Sequence, residues 1–218
     1  AVAITGIGFN TPLGQCTVQT YTSVRAGLNR FSAWSIAGGD QGGDDGAAIV
    51  SAIKGKPKGT WGEQAANLTT EALQEALFDA GLYEPQDLHQ VFGRSAISAH
   101  LALPYEDRID IDKESWAEFI ENAKSHCVVA LHSKDVNILP YGHAAGLMAV
   151  DQALGKLRLG EADVCVVIGV DSLLADEYIQ WLASENKLKT DFQPSGLIPA
   201  EGAAVLILER EADAVKRQ

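Results

Sequence analysis

Cysteine, basic residues and long apolar runs are all scarce in this 218-residue chain. The three cysteines, Cys16, Cys127 and Cys165, form no C-x-x-C and no paired spacing, which argues against a disulfide framework. Lysine and arginine number 17 against 29 aspartates and glutamates, for a formal net charge of -12. Nucleic acid and anionic membrane surfaces both call for clustered positive charge, so neither is an expected partner. No apolar run approaches the ~20 residues that span a bilayer, and the opening AVAITGIGF lacks a signal peptide's basic region. A cytoplasmic location is expected.

Metal ligands are incomplete wherever they gather. His126, Cys127 and His132 lack a fourth ligand at zinc spacing. Asp40, Asp44 and Asp45, within AGGDQGGDDG, lack the alternating oxygen ligands and closing glutamate of a calcium loop, so a mobile loop is the plainer reading. Gly6-Ile7-Gly8 has no third glycine at a helix start, which sets aside a dinucleotide site. No metal and no cofactor are expected.

The chain does hold alternating helical and apolar segments. Ala1 to Gly8 reads as a strand, Gln15 to Ala26 as an amphipathic helix ended by Gly27, and Phe31 and Trp34 as cover over the sheet. Trp61 to Ala80 fits a helix, Val91 to Ala99 a strand, and Glu106 to Glu121 a surface helix. Cys127 to Leu131 reads as further buried chain, Asp176 to Leu182 as a helix, Ala203 to Leu208 as the last strand, and Arg210 to Arg217 as a frayed tail. The organising stretch is Pro140 to Ser172, PYGHAAGLMAVDQALGKLRLGEADVCVVIGVDS. Leu147, Val150, Leu154 and Leu157 recur at helical spacing, and Ala144 to Val150 carries no polar side chain, so the helix start is expected to be deeply buried. Val164 to Val170 is a continuous apolar run of the kind covered on both faces of a sheet. Such alternation implies an α/β layered fold, with residues 1–218 as a single domain.

The organising stretch resembles the active-site segment of the β-ketoacyl synthases of the thiolase-like superfamily. Ala1 to Gly14, Arg25 to Phe31, Ala76 to Leu82 and Gly196 to Glu209 extend the resemblance in the same order. It implies a thiolase-like half-fold with a mostly buried mixed sheet and helices on both faces. In the family two such halves pack as five layers, and this chain is similar to the N-terminal one. The family's acyl-accepting cysteine opens the buried helix; counting back from Gly160 puts His143 at that position. The family's two histidines come from the second half, and His89, His100, His126 and His132 match none of its motifs.

Imidazole is a poor acyl carrier, because acyl-imidazoles hydrolyse readily. Three roles for His143 stay open: a hydrogen-bonded structural residue, a lining residue of an acyl or thioester pocket with Gly142, Ala144 and Met148, or a catalytic base at the family nucleophile position. Asp163 and Asp171 are separated by about seven strand residues, ~23 Å, too far for an acid pair at one end. Glu201 is read as a partner for buried backbone groups rather than a proton carrier. The resulting expectation is a ketosynthase-like protein without the acylating cysteine, serving as a non-catalytic acyl- or carrier-binding scaffold or partner subunit. The alternatives are half of an acyltransferase or decarboxylase completed by another chain, and an acyl-ligand sensor. Expected partners are a second copy in a homodimer or a complementary ketosynthase half, together with an acyl carrier protein. A lone half would leave the apolar surface of the Ala144–Leu159 helix in water.

Overall fold

The computed structural model describes residues 1–34, 48–53, 60–82, 97–130, 135–190 and 193–217, the side chains of 125–130 and 217 excepted. The expected loop around Asp40, the first part of the Val91–Ala99 strand, His89, His132 and the side chains of His126 and Cys127 lie outside the described residues.

Strand β1 (Val2–Asn10), helix α1 (Thr17–Arg25) and the short strands β2 (Ser32–Trp34) and β3 (Ala48–Val50) open the chain. Helix α2 (Trp61–Asp79), strand β4 (Ile97–Ala102), helix α3 (Lys113–Ala130) and strand β5 (Asp135–Leu139) follow. A 3-10 turn at Gly142–Ala144 leads into α4 (Ala145–Leu159), then β6 (Val164–Ser172), α5 (Asp176–Ser184), β7 (Glu201–Arg210) and α6 (Glu211–Arg217). One five-stranded mixed sheet runs β1-β7-β6-β4-β5; β7 is antiparallel to both neighbours, and β6, β4 and β5 are parallel.

Helices cover both faces, as the alternation requires. On one face Leu68, Leu73 and Ala76 of α2 meet Leu101, Ile168, Val205 and Ile207, and α3 packs outside α2. Trp61 stacks on Trp116 with ring centroids 5.3 Å apart and meets Phe119 edge-on. Thr60 and Glu63 start α2 with a reciprocal capping box, each side chain bonding the other's backbone N–H. On the opposite face α4 lays Ala145, Ala149, Ala153 and Leu157 against Cys165, Val167 and Leu208.

The free edge of β1 is closed by α2. A Cβ on Gly8 would stand 1.9 Å from the Ala72 carbonyl oxygen, so helix and strand approach as closely as glycine allows. At that distance α2 carboxylates reach the strand's unpaired donors: Asp79 accepts from Ile7 N–H at 2.9 Å, and Glu75 from Phe9 N–H at 2.8 Å. Edge donors paired in this way cannot recruit another strand.

Several expectations are corrected. The face that α4 buries is the 145-149-153-157 row, with Val150 half-buried at its margin, rather than Leu147 and Leu154, because alanines let the helix axis settle close to the sheet. The start of α4 is not buried on all sides: Leu147 is 80% exposed and Met148 39%, since none of the described residues covers them. Phe31 is exposed instead of covering the sheet, and Trp34 joins a satellite cluster with Ala48, Val50, Ile179 and Leu182. Helix α1 turns Thr20 and Ser23 inward, where their hydroxyls bond the Gly14 and Leu13 carbonyls, and leaves Val18, Tyr21 and Val24 outside. Residues 211–217 form α6 rather than a frayed tail, held by buried Ala214 and an Arg210–Asp213 pair at 2.6 Å.

Candidate functional site

The site is the junction between β5 and α4, at the carboxyl end of the parallel strands. Leu103 N–H bonds the Leu139 carbonyl at 3.0 Å, and Gly142 N–H bonds the Leu103 carbonyl at 3.0 Å, so the two strand exits are laced together. Gly142 has φ +57°, and a Cβ there would stand 2.7 Å from the Tyr105 ring. Both the backbone conformation and the ring overhead require glycine. His143 follows in the 3-10 turn, and α4 begins with no side-chain cap and no acid in its first turn. The helix therefore presents its positive end at this junction.

Gly142, His143, Ala144 and Met148 lie together here, with Met148 one helical turn beyond Ala144. The His143 ring is exposed and has no hydrogen bond among the described residues. Glu201 accepts from Ile53 N–H at 2.7 Å, the backbone-satisfying role that its position suggested. Asp163 and Asp171 stand apart at the two ends of β6, paired with Arg210 and Arg108 respectively.

Sequence reasoning missed the loop that frames the site. Arg108, just beyond Tyr105, bonds both oxygens of Asp171 at 2.9 and 2.8 Å, both oxygens of Asp110, and the Ser172 carbonyl. Its guanidinium also lies 5.1 Å from the Tyr178 ring centre, and Trp61 Nε1 donates to Asp171 at 3.2 Å. Burial works against the Arg108 charge, but Asp110 and Asp171 outweigh it and hold the group above its ordinary range. The clamp fixes the loop after β4, and hence the Tyr105 ring over Gly142. No periodicity marks such a residue; its only sequence signal is the alternation of Arg108 with Asp107 and Asp110 beyond an apolar strand.

Among the described residues no group of three His, Cys, Asp or Glu side chains could hold a metal ion, and no helix is long and apolar enough to cross a membrane. An open histidine at a helix start can accept a proton or a hydrogen bond from a bound group. Its neighbours Tyr141, Leu147 and Met148 supply exposed apolar surface.

Comparison with solved structures defines the class: this is the ketosynthase fold. A type II polyketide synthase acyl carrier protein complex with its ketosynthase, AntDE:AntF bound to the hexaketide, matches with TM-score 0.76 and 20% identity over 99% of this chain and 59% of its own. The ishigamide ketosynthase/chain length factor gives 0.70 and 20% over 99% and 60%. The module 6 ketosynthase of the bacillaene synthase from Bacillus subtilis 168 gives 0.69 and 17% over 99% and 41%. The chain thus spans about 41–60% of the length of these structures. Residues 142–214 match the family model for the β-ketoacyl synthase N-terminal domain. No curated protein sequence matches it.

Proposed function

We propose that residues 1–218 act as one unit, a cytoplasmic ketosynthase-like half that binds an acyl thioester or its carrier protein beside His143 without forming an acyl-enzyme. The observation that carries this reading is the outer face of α4. It starts at the site, exposes Leu147 and Met148, and offers open space above Gly155, where an added Cβ meets nothing within 4 Å. Each ~100 Å² of such surface left in water forfeits ~2.5 kcal/mol, which favours a covering layer. That layer is a complementary ketosynthase half or a second copy of this chain. A ketosynthase/chain length factor and a carrier protein bound to its ketosynthase among the matched structures support a ketosynthase-type partner chain and a carrier protein.

With His143 at the nucleophile position, the site keeps the helix start and the glycine turn, but offers an imidazole in place of a thiol. Bound thioesters would be held by apolar contact with Tyr141, Leu147 and Met148, and by the backbone of the Gly142–Ala144 turn. A second reading follows from the partial coverage of the matched structures: another chain completes the site, and the assembly transfers or decarboxylates acyl groups. Intact-protein mass spectrometry after incubation with acyl- and malonyl-thioesters separates the two, with His143→Ala and Cys127→Ala alongside. Binding with no adduct and unchanged substrate is the expected result. A stable adduct lost in one variant identifies a nucleophile and replaces the first reading with the second.

A further inference from the structure

A polar group around a buried histidine lies between the sheet and α4 and reaches solvent at Asp135 and Lys156, at the end of the strands away from His143. His100, in the middle of β4, is fully buried, with 0% of its surface exposed. Its neighbours come from every element around it: Ser98 on β4, Asp135 and Asn137 on β5, Cys165 on β6, and Gln152 and Lys156 on α4. His100 Nε2 lies 3.1 Å from Ser98 Oγ, and Ser98 Oγ lies 2.7 Å from Asp135 Oδ2. Asn137 Nδ2 donates to the other Asp135 oxygen at 3.3 Å, and Lys156 pairs with the same carboxylate.

Counting hydrogens fixes the direction of each bond, and burial, which lowers the ring from its ordinary value, leaves it neutral. Ser98 has one hydroxyl proton, and an ionised carboxylate can only accept. Burial raises Asp135, but Lys156, Ser98 and Asn137 together hold it below its ordinary range. Ser98 therefore donates to Asp135, and neutral His100 must donate from Nε2 to Ser98. Nδ1 is left as a bare acceptor beside Gln152, buried and without a hydrogen bond of ordinary geometry. The resulting chain of bonds ties β4 to edge strand β5, and through Lys156 to the last turns of α4.

We propose that His100 is the trigger of an acid-sensitive latch that holds β5 and the C-terminal half of α4 against β4. A proton taken from solvent at Nδ1 turns the buried ring into a second cation on the same network as Lys156. Lys156 and the ring then compete for Asp135, and the cheapest relief is to open the edge of the layer. Cys165 cannot compensate, since burial pushes its thiol up to about 12 and it stays neutral. Burial first, and then Lys156, lower the ring from its ordinary 6.5, with Asp135 and Gln152 opposing them. An unfolded ring binds its proton more readily, so the latch is intact above pH 6.5 and weakens as the pH falls through the ring's own lower value.

Hydrogen exchange read by mass spectrometry at pH 7.5 and 5.5, corrected for intrinsic rates, tests the latch on the whole chain. His100→Gln keeps an N–H donor toward Ser98 and cannot titrate. In the native protein, opening of residues 135–139 and 152–159 should rise about tenfold more than that of β1 and β7 on acidification, as expected for a local opening unit. In His100→Gln this selective rise should vanish, and Lys156→Met should shift its midpoint upward. A selective rise unchanged in His100→Gln, or a uniform rise across the sheet, overturns the proposal. Should His100→Gln fail to fold, the histidine ring titration by NMR decides. A His100 midpoint at or above 6.5, or β5 amides that do not follow it, overturns the latch as well.

Discussion

Gly155, in the middle of α4, gives a direct test of what lies over that helix. A Cβ at this position would meet nothing within 4 Å, so Gly155→Ala adds a methyl group into open space and creates no clash. Replacing glycine by alanine in a helix interior stabilises by about 0.8–1.0 kcal/mol, because the unfolded chain loses freedom and the helix gains propensity. For a chain of this size that corresponds to a melting temperature higher by about 2–4 °C. Thermal unfolding followed by circular dichroism at low protein concentration measures the isolated chain, and sedimentation velocity on the same samples measures association. Gly155→Arg is the companion variant, tolerated by the lone helix but placing a charge on its outer face. The expected pair of results is a raised melting temperature for Gly155→Ala and loss of association for Gly155→Arg. A lower melting temperature in Gly155→Ala would show that this chain itself fills the space, and the argument for a covering layer would fail.

Gly8→Ala should destabilise by about 1–3 kcal/mol or more in urea unfolding, since the new Cβ would overlap the Ala72 carbonyl of α2 at 1.9 Å. A loss below about 0.5 kcal/mol would mean that α2 does not sit on β1 as described. Arg108→Met should cost about 3–5 kcal/mol by the same assay, because it strands the fully buried Asp110 carboxylate without its cation; a loss under about 1 kcal/mol would remove the clamp from the account. In a Cys127→Ser background at pH 8, a thiol reagent should modify half-exposed Cys16 readily and buried Cys165 only on unfolding. Two thiols reacting in the folded protein would contradict the burial of β6.

How far the sequence revealed the fold depended on which forces wrote the pattern. Helix α2 was legible because Thr60 and Glu63 cap its start, a turn at Gly81 follows its end, and its apolar face repeats over five turns. Strands β6 and β7 were legible as unbroken apolar runs. Strand β5 was not, because Asp135 and Asn137 belong to the polar group around His100 and break the apolar signal of a five-residue edge strand. Helix α1 was legible in its place but not in its buried face. Its inward side is set by hydroxyl-to-carbonyl bonds to the Thr11–Gly14 turn, although burying Val18, Tyr21 and Val24 instead would have removed more apolar surface from water. At the candidate site the turn and its glycine were legible, whereas Tyr105 and Arg108 come from a loop that meets them only once β4 and β5 are paired.

The misread face of α4 carries the most information about function. A helix that packs on one layer alternates apolar and polar sides, and one that packs on two layers is apolar around its circumference. The start of α4 is of the second kind: from Ala144 to Val150 no residue is polar. Within this chain, however, only Ala145 and Ala149 of that turn are buried, while Leu147 and Met148 stand in solvent. Alanine is small enough to fit a close helix–sheet contact, and leucine and methionine are what an outer contact needs to gain area. The two sets of side chains therefore describe two different contacts. The sheet of this chain accounts for the first, and the composition of the helix supports the proposed covering layer for the other.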